Sequence, residues 1–174
     1  MSVTRMAIAV AAMCFGTATA FASADKTEVQ APSLRFVFEE RVDLEPAEAA
    51  GQNPRGAGNR IGITGGTIAG PMLQGKVLPG GADWQLIRAD GCSEIVADYF
   101  IRTEDKTLIH VRNVGLGCAA TANRGAYARA TPVFTAPIGK HDWLNKSVFT
   151  STIKPVIDAQ GNLQQVVLRF YEVQ

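Results

Sequence analysis

The chain has almost no surplus of charge: 17 Lys and Arg stand against 16 Asp and Glu, a formal net charge of +1 over 174 residues. Nucleic acid and anionic lipid are held by a basic surplus, so neither is expected as a partner. Aromatic residues make up 7% of the sequence, too few to build stacking platforms for single-stranded nucleic acid. No apolar run approaches the ~20 residues with which a helix spans a bilayer. A G-x-S-x-G nucleophile elbow and an H-E-x-x-H zinc helix are both missing, which argues against those hydrolase classes. The histidines His110 and His141 have no partners at ligand spacing, so no metal is expected. Gly115-Leu116-Gly117-Cys118-Ala119-Ala120 matches the G-x-G-x-x-A phosphate loop. It lacks the strand–helix alternation in which that loop works, so no dinucleotide, and no other cofactor, is expected.

What is present begins with a leader. Arg5 gives a positive start, the run from Met6 to Phe15 is apolar throughout, and Ala22-Ser23-Ala24 fits the A-x-A site of signal peptidase. A core helix is the poorer reading, because Asp25 to Pro32 offers no helical continuation. A lipoprotein would need a small residue before Cys14, and Met13 stands there. Residues 1–24 are therefore read as a cleavable signal peptide, 25–32 as a flexible N-terminal segment and 33–174 as one domain. The expected location is the periplasm or the exterior, with no membrane contact after cleavage. Cys92 and Cys118 remain, and in an oxidising compartment such a pair can close a disulfide; the alternative is two free thiols acting as small core hydrophobes.

The remainder is 33–174, and the whole sequence is 47% hydrophobic, enough for a packed core. Short runs alternate between apolar and polar residues and are bounded by Gly, Pro, Asn or Asp. They fall at Leu34–Val42 (Leu34, Phe36 and Phe38 on one side), Arg60–Ala69, Met72–Leu78, Trp84–Arg88, Glu94–Arg102, Thr107–Val114, Pro132–Ala136, Val148–Lys154 and Gln165–Val173. Gly65-Gly66 inside such a run reads as a bulge or barrel corner. Residues 43–59 read as one long loop, Pro46 to Ala50 as a helical turn at most, and Ala119 to Arg129 as a short helix or loop. The fold class is all-β, a single antiparallel barrel or sandwich.

Three clusters could carry chemistry. Asp98, His110 and Arg112 fall on the more polar sides of two neighbouring strands, opposite Ile95, Ala97, Tyr99 and Ile101 and opposite Ile109, Val111 and Asn113. Either the apolar sides form the core and the polar residues face water, or the polar residues line a lumen under an exterior covered by a partner. The second cluster is Lys140 to Lys146, with His141, Trp143 and Asn145; Trp143 could contact a ligand or plug the core. The third is Pro79-Gly80-Gly81-Ala82-Asp83-Trp84, a tight turn presenting Asp83 and Trp84 at a strand mouth. Asp83, Asp98 and His110 are the acid/base candidates. Arg60 and Arg112 are candidate clamps for an anionic or carbonyl group, Trp84 and Trp143 candidate walls, and Tyr99, His141 and Asn145 further candidate ligand contacts.

Gly58-Asn59-Arg60, Gly65-Gly66, Gly70-Pro71, Gly75, Pro79–Trp84, Asp90-Gly91 and Trp143-Leu144-Asn145 occur in this order. In that pattern the sequence resembles domain-of-unknown-function family 3237, over Leu34 to Val173. The resemblance implies an antiparallel β-barrel similar to allene oxide cyclase and dirigent proteins, and no established activity. The sequence departs from the family where a turn that often reads Asp-Gly is Asp105-Lys106. Together these readings predict an exported barrel that binds a small organic molecule, as a homo-oligomer. It would act as a cofactor-independent cyclase, isomerase or lyase; the alternative is a non-enzymatic structural or interaction barrel.

Overall fold

Alternation at period two becomes ten strands in the computed structural model, which describes residues 30–174; Pro32–Gln174 forms one unit. The expected signal peptide and most of the segment 25–32 lie outside the described residues. The strands are β1 (Leu34–Leu44), β2 (Glu48–Asn53), β3 (Gly56–Ala69), β4 (Gly75–Val77), β5 (Ala82–Ile87), β6 (Cys92–Thr103), β7 (Leu108–Cys118), β8 (Tyr127–Thr135), β9 (Phe149–Ile157) and β10 (Leu163–Val173). A single 3₁₀ turn spans Asp142–Asn145, and no α-helix occurs among the described residues.

All pairings are antiparallel, and β1 pairs with both β10 and β3, which closes the sheet on itself. β4 and β5 together occupy one position between β3 and β6, and β2 continues the line of β1 along β3, so the closed barrel has eight strand positions. Closure leaves few free edges to aggregate. The expected loop 43–59 is instead the β2–β3 hairpin, and the helical turn at Pro46–Ala50 is mostly strand. The hairpin's pairing outweighs its Gly- and Ala-rich composition. β8 likewise begins at Tyr127, within the stretch read as helix or loop.

One half of the barrel is filled. Phe38 stacks on Phe170 with ring centroids 4.6 Å apart, and Phe134 meets Phe149 edge-on at 5.1 Å. Leu144 is buried among the same cluster, and Trp143 leans on Phe149. Each buried Phe or Leu contributes about 1.5–3 kcal/mol through area removed from water. The pairing of β1 with β10 slips between Phe36 and Phe38. That bulge makes Val37 and Phe38 both core residues while Leu34 is exposed, so the single face expected for Leu34, Phe36 and Phe38 does not exist.

The filled end is sealed by side chains that stand in for backbone. The Asn145 carboxamide accepts from the Ala136 N–H and donates to the Ala136 carbonyl, both at 2.9 Å. It thereby extends the ladder beyond β8. His141 is buried, and its Nε2 lies 2.8 Å from Asp105 Oδ2. Asp105 also accepts from Thr103, Thr107 and Lys140, and these contacts hold its carboxyl well below the usual carboxylate range. The β6–β7 turn is thus tied to the segment before the 3₁₀ turn. In the β6–β7 turn Lys106 has φ +68°, a left-handed conformation that glycine adopts without strain.

At the opposite end Cys92 and Cys118 face each other across β6 and β7, Cα to Cα 4.2 Å, and their sulfurs are joined.

Candidate functional site

Toward the other end of the barrel the packing is incomplete. A cavity of about 100 Å³ lies between Val42 and Leu44 of β1, Ile63 of β3, Asp83 and Gln85 of β5, Ile95, Ala97 and Tyr99 of β6, Asn113 of β7, and aliphatic side chains of β9 and β10. Exposed Pro155 and half-buried Leu163 stand at its rim, so the hollow opens at that end. The phenylalanine cluster closes it below.

Local sequence explains how the polar groups arrive there. In Pro79–Trp84, Gly80 has φ +101°, and Gly81 crosses so close to β6 that an added Cβ would stand 2.5 Å from the Tyr99 Cβ. The chain then enters β5 with Asp83 turned inward, and Trp84, one residue on, turned outward and 52% exposed. The glycines therefore seat Asp83 in the same hollow as Tyr99.

The Tyr99 hydroxyl donates to Glu40 Oε2 at 2.6 Å, deep in the barrel. Glu40 follows Phe38 on the inward side of β1 and is fully buried. Burial disfavours the charged carboxylate and pushes its pKa up to about 8, against a smaller opposing effect of the Tyr99 hydrogen bond. Glu40 is therefore mostly a neutral acid at pH 7. Burial and the neighbouring Glu40 and Asp83 carboxyls hold the Tyr99 phenol well above its usual range. Asp83 is also raised by burial, with the Gln85 amide donating to its Oδ2 at 2.8 Å and opposing the shift. Glu40 Oε1, Asp83 Oδ1, Asn113 Oδ1 and Ser151 Oγ are buried without a hydrogen-bond partner. Such orphaned oxygens are uncommon in protein interiors. In chemical terms the hollow has apolar walls, a hydroxyl–carboxyl pair able to pass a proton, and a second carboxyl able to take one.

The candidates named from sequence divide by position. Asp83 and Tyr99 line the cavity. Asp98 and His110 pair on the barrel's outer surface, Oδ1 to Nε2 2.7 Å, with Arg112 exposed beside them. The lumen placement of these three is thereby corrected: the inward side of β7 carries Ile109, Val111 and Asn113, because burying aliphatic groups costs nothing while burying an Arg and a His–Asp pair would. Arg60 pairs with Glu45 and Glu48, at 3.7 and 3.5 Å, outside the cavity wall. Trp84 faces solvent, and His141, Trp143 and Asn145 belong to the sealed end. Glu40, Gln85 and Asn113 were missed. Glu40 and Asn113 each interrupt an inward apolar series, Phe38-x-Glu40-x-Val42 and Ile109-x-Val111-x-Asn113, which is the signal that could have found them. No group of three or more His, Cys, Asp or Glu side chains able to hold a metal ion occurs among the described residues.

Residues 32–173 match the family model described as "Protein of unknown function (DUF3237)". The chain belongs to the DUF3237 family. A UPF0311 protein of Clostridium acetobutylicum is 28% identical over 162 residues, which cover 86% of this chain and 99% of the relative. One from Rhodopseudomonas palustris strain TIE-1 is 30% identical over 151 residues, covering 80% of this chain and 95% of the relative. Among solved structures, a β-barrel-like protein of Acinetobacter baumannii superposes with a TM-score of 0.77 at 25% identity, covering 86% of this chain and 100% of the other. A protein of Penicillium herquei described as an enzyme superposes with a TM-score of 0.65 at 26% identity, covering 85% and 98%. This DUF3237 chain therefore shares its barrel with relatives of unknown function and with one enzyme.

Proposed function

We propose that this DUF3237 protein binds a small apolar organic molecule in the open half of its barrel and moves a proton on it without a cofactor. The observation that carries the reading is the pair of buried acids, Glu40 behind Tyr99 and Asp83 beside it, around an apolar hollow. Perturbed carboxyls in a cavity are the usual acid/base arrangement. Asp83 is the base, taking a proton from an O–H or an activated C–H of the ligand. Tyr99 is the acid at the cavity surface: its hydroxyl turns from Glu40 Oε2 to the ligand and gives up its proton, and the neutral Glu40 carboxyl then donates its own O–H proton to the phenolate oxygen. The ligand loses one proton and gains one, so the product is an isomer or an internally cyclised form. The enzyme resets when Asp83 gives up, and Glu40 regains, a proton.

Export belongs to the same proposal, supported by a cross-strand cysteine pair of the kind that persists in oxidising compartments. A second reading, assembly with another copy or a protein partner, is supported by the exterior of β5–β8, where Trp84, Phe100, Val114 and Val133 are exposed. Light scattering after size exclusion tests that reading; a monomer at micromolar concentration refutes a stable homo-oligomer.

The binding test is a thermal-shift screen of cyclic ketones, lactones and aromatic alcohols. A ligand confined to the native state adds about 2.7 kcal/mol at a hundredfold excess over Kd. Ala97→Leu, which fills the hollow from its wall, should abolish the shift. For a ketone hit, the protein should exchange its α-hydrogens with D2O, and Asp83→Asn should lose that exchange while still binding. Hits indifferent to Ala97→Leu, or silence across the screen, refute the lumen site.

A further inference from the structure

The cavity wall has a marked bias in the hydrogen-bonding groups it offers. Two residues that line it, Asp83 and Asn113, each hold a buried oxygen with no partner. No Lys, Arg or His lines it among the described residues; the Arg60, Arg88 and Arg169 guanidiniums are paired with acidic side chains away from it. The Gln85 amide donates one N–H to Asp83, and like the Asn113 amide it is an uncharged donor. What a ligand meets is therefore aliphatic surface, unfilled acceptors, the uncharged Asn113 amide and the Asp83 carboxyl, without a cation to balance an incoming negative charge.

We propose, resting on the lumen reading above, that the site selects uncharged apolar ligands that present a hydroxyl donor, and excludes carboxylate and phosphate anions. An O–H reaching Asp83 Oδ1 or Asn113 Oδ1 fills an acceptor that otherwise stays buried and unpaired, a deficit a hydrocarbon leaves in place. A carboxylate would instead face Asp83 across a low-dielectric space with no counter-charge, which is among the costliest placements a protein can make. Size sets the rest. A closed cavity of ~150 Å³ holds benzene, so in this smaller, open one a ring sits with its far edge in the mouth and its hydroxyl foremost.

The test is calorimetric titration of the protein at pH 7 with three probes of one ring and differing charge and donor: phenol, toluene and benzoate. Phenol should bind about five- to tenfold more tightly than toluene, the effect of one well-made hydrogen bond. Benzoate should bind at least about a hundredfold more weakly than phenol, as expected for an unbalanced buried charge. Asp83→Asn keeps an acceptor at the same place and removes the charge, so phenol should be held within a few-fold while benzoate gains tenfold or more. Toluene binding as tightly as phenol, or benzoate within tenfold of it, overturns the selectivity with the cavity site left standing. No binding of any of the three overturns the lumen reading itself, and the selectivity with it.

Discussion

Replacing Glu40 by Gln converts the buried acid into a measurable slope. Gln keeps a partner for the Tyr99 hydroxyl and nearly the same volume but cannot ionise. In the wild-type protein the carboxyl has a pKa of about 8 when folded, against 4.5 as the ordinary value taken for the unfolded chain. The folded state therefore holds its proton where the unfolded state has released it. The stabilisation from that proton is complete below about pH 4.5 and drains away as pH rises toward 8, at about 1.4 kcal/mol per pH unit. Between pH 5.5 and pH 7.5 the wild type should thus lose about 2–3 kcal/mol relative to Glu40→Gln. That corresponds to several degrees in Tm for a chain of this size. Urea unfolding followed by tryptophan fluorescence at pH 5.5, 6.5, 7.5 and 8.5, with the variant subtracted from the wild type, isolates this one group. A difference that falls with pH confirms a buried acid. A flat difference refutes it, since the carboxyl would then be solvated and unable to act as a proton store behind Tyr99.

Other perturbations test the framework that holds the site. Gly81→Ala would set a methyl group 2.5 Å from the Tyr99 Cβ, and should cost about 1–3 kcal/mol in urea unfolding and weaken any lumen ligand. Asn145→Ala removes both bonds to the Ala136 backbone and should cost about 1–3 kcal/mol by the same measurement, with ligand affinity nearly unchanged because the sealed end is remote from the cavity. Exchanging Cys92 and Cys118 for serine opens a link of sequence separation 26 and should cost about 3 kcal/mol, an effect dithiothreitol should reproduce in the wild type alone. Lys106→Gly relieves a left-handed φ of +68° and should raise stability by about 0.5–1 kcal/mol, read from the urea midpoint.

The barrel was legible because period-two alternation recurs along most of the chain, and a closed sheet is the usual way to use so many short strands. The β2–β3 hairpin was not, since Ala49, Ala50, Gly51 and Gly56 to Gly58 have the composition of a loop and become strand only because β2 and β3 pair with each other and β3 also pairs with β5. The site was half legible. Asp83 announced itself through the glycine turn before it, whose packing against Tyr99 explains the motif. His110 and Asp98 drew notice as conspicuous residue types, yet their side of the strands is the outer one. Glu40 drew none, because a glutamate flanked by Glu39 and Arg41 looks like solvated surface. Its position two residues from both Phe38 and Val42 decides its environment, and the slip at Phe36–Phe38 hides the phase of that series from simple alternation.

The most direct measurement is the crystal structure of the protein soaked with phenol. The account predicts a ring between Ala97, Leu44 and Ile153, its hydroxyl within hydrogen-bond distance of Asp83 or Asn113 and its far edge toward Pro155. A ring bound on the outer face near His110, with the barrel interior collapsed or filled by protein side chains, would contradict it.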